Sequence, residues 1–285
     1  MAFDPLWLGA RFPYDAAVRS THLCTQVVEQ LRPSEGPWVL IDVGSGLGAN
    51  VLHGARELPG PQRWWLVDQD DALLAQAPQA LSAQAEQRCW TYKAGPPIQL
   101  DRPQGTVEIA LCRGLLTPLP PQLPLDQAHL VTANALFDLL SPQAFATFIA
   151  QLGGKPLWAT LNYTAMAFEG TPDPDDHWVI DRYQAHMQRP GEGLTGAMGP
   201  SCSDTMATLL TEAGYRVLRD DSVWQLGPDD ATLISFVLGF MAQAVPEMCT
   251  PNDHPRFTAW LDRRRNALAH KRLGLRVEHG DLLAL

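Results

Sequence analysis

Apolar positions follow two alternating rhythms along the chain, helical spacing and short unbroken runs. Leu23, Val27, Val28 and Leu31 share a face opposite most of Gln26, Glu29 and Gln30, which predicts an amphipathic helix over 14–31. Pro33 to Pro37 break it, and the run 38–42 (Trp-Val-Leu-Ile-Asp) reads as a buried parallel strand. A glycine loop then leads into a helix through Leu58, stopped by Pro59-Gly60. A second strand is predicted at 63–68, and a second helix from 70 to about 87 with an early break at Pro78. Strand, loop, helix, strand and helix in that order open a doubly wound α/β sheet.

Further strands are predicted at 106–112, 129–133, 157–162 and 215–219, with helices at 142–152 and 203–213 alternating with the last three. Asp229 reads as the cap of a helix carrying Leu233, Phe236, Val237 and Phe240. A last helix covers 255–269, and 275–279 reads as a closing strand. The expected fold is therefore a mostly parallel, seven-stranded, Rossmann-like sheet with helices on both faces. The expected division is an N-terminal lid or helical segment at 1–34 and a main domain at 35–285. Within that domain, 164–202 is read as a cover over the active-site edge, since it holds Gly170-Thr-Pro-Asp-Pro-Asp-Asp and Pro190-Gly-Glu-Gly, and 229–270 as a helical insertion.

Composition narrows the function. At 285 residues, 46% apolar and 18% charged, the chain suits a folded enzyme, and its net charge of −10 makes nucleic acid a poor partner. Basic residues do cluster late, at Arg256, Arg263, Arg264, Arg265, Lys271, Arg272 and Arg276. Two readings stand for them: a solvated helix face, or a site for an anion or acidic partner. The five cysteines are scattered and never form Cys-x-x-Cys, which disfavours a disulfide scaffold or a zinc site and suits a reducing cytoplasm. The start of the chain lacks a signal-peptide pattern, and the longest apolar stretch, 231–245, is read as too short to span a bilayer.

The chemistry is carried by Asp42-Val-Gly44-Ser45-Gly46-Leu-Gly48-Ala-Asn50, placed where a strand hands over to a helix. Glycines let the backbone turn tightly and approach a ligand, and the following helix turns free N–H groups toward the loop. Asp68, twenty residues past Gly48, ends the next strand, where a carboxylate can accept from both hydroxyls of a ribose. A nucleoside-containing cofactor follows. The spacing is Gly-x-Gly-x-Gly rather than the Gly-x-Gly-x-x-Gly of dinucleotide folds.

That pattern resembles motif I of class I S-adenosylmethionine-dependent methyltransferases. The resemblance implies that Asp42 lies near the cofactor's amino-acid end and that Gln69, in Asp68-Gln69-Asp70, lies along the adenosine. It also implies that the segment from His129 through Asn134 to Asp138 and Leu140 borders the methyl group. More loosely, the chain resembles bacterial proteins described only as methyltransferases. The shared features are Trp7-Leu-x-x-Arg11-x-x-x-Asp15-x-x-x-Arg19, Asn162-Tyr163 and His279-x-Asp281-Leu-Leu-Ala. The family's usual acid after the third strand, which holds the adenine amino group, is absent; Arg113 stands near that place. The Asn-Pro-Pro-Tyr element of base and amide methyltransferases is also absent, with Asn134-Ala-Leu-Phe in its position.

Other candidates each have two readings. Arg11, Asp15 and Arg19 share a helical face, either as a surface ion-pair ladder or as part of a lid in which Arg19 meets the cofactor carboxylate. Tyr163 is either a buried, hydrogen-bonded tyrosine or a substrate-side residue at the carboxyl edge of the sheet. His177 and Asp181 are either solvated or a general base and its orienter, and with His186 they do not complete a metal set. His279 and Asp281 are expected to tie down the closing strand. The reaction expected is transfer of the sulfonium methyl of S-adenosylmethionine to an oxygen, nitrogen or carbon of a small molecule, achieved mainly by alignment and exclusion of water. A non-catalytic cofactor-binding protein and an NAD-dependent oxidoreductase are the alternatives.

Overall fold

In a computed structural model of the chain, which describes residues 4–189 and 196–285, the elements alternate much as the apolar rhythm requires. Two helices come first, α1 (Pro5–Val18) and α2 (Thr21–Leu31), where a single helix over 14–31 was expected. The break falls at Arg19, whose backbone is extended, and at Ser20, whose Oγ accepts from Leu23 N at 2.9 Å and caps α2. α1 starts earlier than the expected helix, with Pro5 in the tolerated first turn.

The alternation then runs β1 (Trp38–Val43), α3 (Ala49–Glu57), β2 (Gln62–Asp68) and α4 (Asp71–Gln87). Pro78 sits inside an unbroken α4, contrary to the expected break. Leu74, Ala77, Leu81 and Ala85 are buried on either side of it, and their burial offsets the missing hydrogen bond. A hairpin follows, β3 (Thr91–Lys93) and β4 (Ile98–Arg102), which returns antiparallel into β5 (Gly105–Arg113). Next come β6 (Leu130–Asn134), α5 (Pro142–Leu152), β7 (Leu157–Gly170), α6 (Asp176–Gln188), α7 (Cys202–Glu212), β8 (Val217–Leu226), α8 (Ala231–Ala244), α9 (His254–Ala269) and β9 (Leu273–Ala284).

The sheet has nine strands rather than seven, in the order β3-β4-β5-β2-β1-β6-β7-β9-β8. The seven expected strands are all present, and the unread hairpin supplies the other two. Its strands have only three and five residues, too short for a clear alternation. β5, β2, β1, β6 and β7 pair in parallel, while β9 lies antiparallel between β7 and β8. Of the segment 164–202, residues up to Gly170 continue β7 and Asp176–Gln188 form α6; its Pro190-Gly-Glu-Gly part lies outside the described residues.

Both faces of the sheet are packed. Trp38 and Leu40 of β1 face Val51, Leu52 and Leu73 of α3 and α4, whereas Ile41 and Val43 face Phe145, Phe148, Met206 and Leu210 of α5 and α7. A third core lies beyond the sheet edge, where the long ends of β7, β8 and β9 meet Trp7 of α1, Ile180 of α6, Leu233 and Val237 of α8, and Trp260 of α9. Asp230, not Asp229, precedes α8; it accepts from Gly227 N at 2.7 Å and from the Tyr14 hydroxyl at 2.6 Å.

The apolar stretch expected to be too short for a membrane extends over Ala231–Met248, 18 residues that meet the length and composition of a span. Its Leu233, Ile234, Val237, Leu238 and Met241 belong to the third core, so its apolar character is used in packing. Much of the late basic cluster is also used internally. Arg256 and Arg263 pair with Asp175, Arg263 also with Asp173, and the fully buried Arg264 donates to Thr171 O at 2.7 Å and Asp176 Oδ2 at 3.0 Å. The acidic partner of these arginines is the chain's own 173–176 turn.

Candidate functional site

The glycine loop leaves β1 at the carboxyl edge of the sheet. Gly44, Gly46 and Gly48 all have positive φ, and Gly48 at +91° begins α3 in the left-handed region. A Cβ on Gly44 would lie 2.7 Å from Leu136 Cδ1, so this loop admits close approach only because the residue is glycine. Asp68 ends β2 beside it. One carboxylate oxygen accepts from Gly46 N at 2.8 Å and the other from Asp70 N at 3.0 Å. The acid thus fixes the loop and keeps a lone pair on each oxygen for further donors. Gln69 is exposed next to it.

Behind the loop lies a buried polar chain. Asp42 accepts from Asn50 Nδ2 at 2.6 Å and from Thr132 Oγ1 at 2.7 Å, and Arg19 donates to Asn50 Oδ1. Burial pushes the Asp42 carboxyl up to about 6, against the two hydrogen bonds and the nearby Arg19 charge. Burial lowers the Arg19 guanidinium from its ordinary value, opposed by Asp15, Asp281 and Asp42. Arg19 Nε, Ser45 Oγ and both ring nitrogens of His53 are buried without a hydrogen-bond partner among the described residues. Arg19 and His53 border two voids of about 10 Å³ each, room for about one water apiece.

A second chain ties α1 to β6. Arg11 Nε donates to Asp15 at 3.0 Å, Asn134 Nδ2 donates to the same carboxylate at 3.2 Å, and Thr160 Oγ1 donates to Asn134 Oδ1 at 3.1 Å. Arg11 also stacks over the rings of Trp7 and Trp224. Arg11, Asp15 and Arg19 are all buried, so they are not a surface ladder. Asn134 ends β6 and Arg19 caps the end of α1, so the C-terminal ends of both elements reach this region.

Tyr163 is buried on β7 and its hydroxyl accepts from Gln184 Nε2 of α6 at 3.0 Å; burial raises its pKa. His177 and Asp181, by contrast, are exposed on α6. The inward face of α6 is set by Val179, Ile180 and partly buried Tyr183 and Gln184, which turns His177 and Asp181 outward. Arg113 ends β5 in register with Asp68, but it is exposed and pairs with Asp71 at 3.1 Å.

Asp281 and His279 do tie down β9: Asp281 accepts from Leu161 N and from Ser222 Oγ, both at 2.7 Å, and His279 Nδ1 lies 3.1 Å from Ser222 O. Leu161 has φ +57°, so Asp281 holds a strained residue in β7 next to the site.

One residue of the segment expected to border the methyl group was given no role of its own. Asp138 lies in the short 3-10 turn Phe137–Leu139 just past β6 and is buried. Burial pushes its carboxyl up to about 6, against its own N–H, Arg11 and the Tyr163 N–H. Its Oδ1 has no hydrogen-bond partner among the described residues. The signal was a lone acid inside Phe-x-Leu-Leu directly after a strand.

These groups fit a nucleoside with an amino-acid tail. Asp68 keeps the free acceptor lone pairs that ribose hydroxyls require, and Ser45 Oγ and Arg19 Nε are buried groups still lacking partners among the described residues. Leu136, folded onto Gly44, must turn aside for a tail to cross the loop. A cavity of about 600 Å³ between α8 and α9, lined by Asp229, Ser235, Leu238 and Arg265, includes none of these residues. Among the described residues no group of three His, Cys, Asp or Glu side chains is placed to hold a metal.

No family model matches the chain, and no curated protein matches it. Its fold is similar to those of several solved structures. A candidate methyltransferase from Bacillus halodurans has a TM-score of 0.49 and 14% identity over 92% of this chain and 97% of that one. A cyclopropane synthase from Mycobacterium tuberculosis has a TM-score of 0.45 and 11% identity, covering 93% and 83%. A Haemonchus contortus phosphoethanolamine N-methyltransferase, solved with S-adenosyl-L-methionine, has a TM-score of 0.42 and 11% identity, covering 94% and 53%. Likenesses at this level are shared by proteins of different activity and decide none of them.

Proposed function

We propose that the chain binds S-adenosylmethionine and transfers its methyl group to a small-molecule acceptor. The observation that carries this is the union of the glycine loop with Asp68: the carboxylate at the end of β2 accepts from Gly46 N, so loop and acid form one prepared nucleoside cradle. The Gly-x-Gly-x-Gly spacing favours a cofactor without a pyrophosphate over NAD. Asp68 would hold the ribose. Ser45, Asn50 and Arg19 would surround the amino-acid end, with Arg19 placed for a carboxylate, and Asn134 and Tyr163 would border the methyl group. Gln69 and Arg113 would lie toward the exposed adenosine side. The helix α1 would act as a lid, since Trp7, Arg11, Asp15 and Arg19 all turn inward from that segment.

The sulfonium supplies its own leaving group when bound, so the protein's work is to align the acceptor and exclude water. Calorimetric titration with S-adenosylmethionine, S-adenosylhomocysteine and NAD tests the reading. Saturable micromolar binding of the first two alone is expected. Binding of NAD alone would replace the proposal with a nicotinamide enzyme, and binding of none would leave a scaffold without a cofactor.

A further inference from the structure

We propose that Asp138 is the acceptor-binding carboxylate, and that the acceptor is a small amine or hydroxyl compound whose N–H or O–H proton Asp138 Oδ1 takes. This rests on the methyl-transfer reading of the neighbouring loop. Asp138 follows β6 at the carboxyl edge of the sheet, four residues past Asn134, which is itself bonded to α1 through Asp15. Ligands of doubly wound sheets bind at this edge.

The carboxylate is buried, yet Oδ1 has no partner among the described residues. A buried carboxylate oxygen without a donor is costly unless a ligand supplies one. Its surroundings are drawn from four elements. Arg11 of α1 is the nearby cation, and its charge is already matched by Asp15. Tyr163 of β7, Tyr183 of α6 and Cys202 of α7 feel the Asp138 charge and are uncharged in the neutral pH range, because burial raises all three. An acceptor would therefore meet one negative group among aromatic side chains, a setting that suits a small protic molecule with an apolar body.

The step balances. Asp138 takes the proton from the acceptor's nitrogen or oxygen, and the freed electron pair forms the bond to the methyl carbon. The carbon–sulfur bond breaks with its pair remaining on sulfur. A carboxyl raised toward neutrality is a better base for this than an exposed aspartate.

The test uses the full chain and its Asp138→Asn variant, saturated with S-adenosylhomocysteine at pH 8. Phenethylamine and 4-ethylphenol are the probes, titrated separately by calorimetry. Binding of either probe, weakened at least about tenfold in the variant while S-adenosylhomocysteine affinity is kept, supports the assignment and says whether amine or hydroxyl is preferred. Binding of neither probe to a wild-type chain that does bind S-adenosylhomocysteine overturns it and leaves the cofactor reading intact. Failure to bind S-adenosylhomocysteine removes the cofactor reading instead. Thermal melting gives a readout independent of probes. Asn at this position is expected to melt at or above the wild type at pH 8, because a buried carboxylate with one oxygen lacking a donor has gone. A fall of more than about 5 °C would mark Asp138 as a structural carboxylate and overturn the proposal.

Discussion

Asp68 holds the loop through one lone pair on each oxygen, and under the proposed function the remaining lone pairs meet the ribose, so its removal separates two effects. Asp68→Ala is expected to weaken S-adenosylmethionine binding by about 1–3 kcal/mol, the loss of charge-assisted hydrogen bonds, while the fold persists. Unchanged affinity by calorimetry in a folded variant would remove Asp68 from the cofactor. Asp42 makes a prediction of opposite character. Its folded carboxyl titrates near 6, above the ordinary value, so the native state holds its proton over a window where the unfolded chain has lost it. The stability tied to that proton is present at about pH 4 and below, and is lost as pH rises through 6. Asp42→Asn should therefore melt less steeply with pH than the wild type between pH 4 and 7, in parallel scans. A steeper or equal dependence would show that Asp42 is not the titrating group. Asp42, the glycines and Asp68 were legible in the sequence because the backbone itself dictates their spacing. Asp138 and the partners of Arg19 were not, since burial and pairing arise from segments far apart in the chain.

At the scale of elements, the 173–176 turn and α9 are joined by buried and half-buried ion pairs around Arg264. Replacing Arg264 by Ala leaves Thr171 O without this donor and Asp176 without its cation, with the Trp260 Nε1 hydrogen bond remaining to it, which costs about 3–5 kcal/mol when a buried partner is removed. A melting temperature lower by about 10 °C is expected, with faster hydrogen exchange in α6. Retained stability would mean that water replaces the guanidinium. The arginines were visible as a cluster, but their partners were not: composition shows charge, and only folding shows which charge it meets. The same limit explains α1. Pro13 lies inside it, and the burial of Trp7 and Phe12 outweighs that local cost, which the sequence alone does not show.

For the whole molecule, a ligand that binds only the native state raises stability by mass action, about 2.7 kcal/mol at a hundredfold excess over its dissociation constant. S-adenosylhomocysteine at that excess should raise the melting temperature by about 5 °C, and NAD should not. No shift would contradict the proposed cofactor whatever the residue-level results.

The placement of β9 has a consequence for synthesis. This strand comes after every other element in sequence yet lies inside the sheet, between β7 and β8, and its Asp281 secures Leu161 beside the site. While the chain emerges from a ribosome, β7 and β8 have no neighbour in common until residues 273–284 arrive. The sheet edge that carries the candidate site is therefore completed only once residues 273–284 have emerged, and a nascent chain stalled before that point carries the glycine loop without a finished sheet around it.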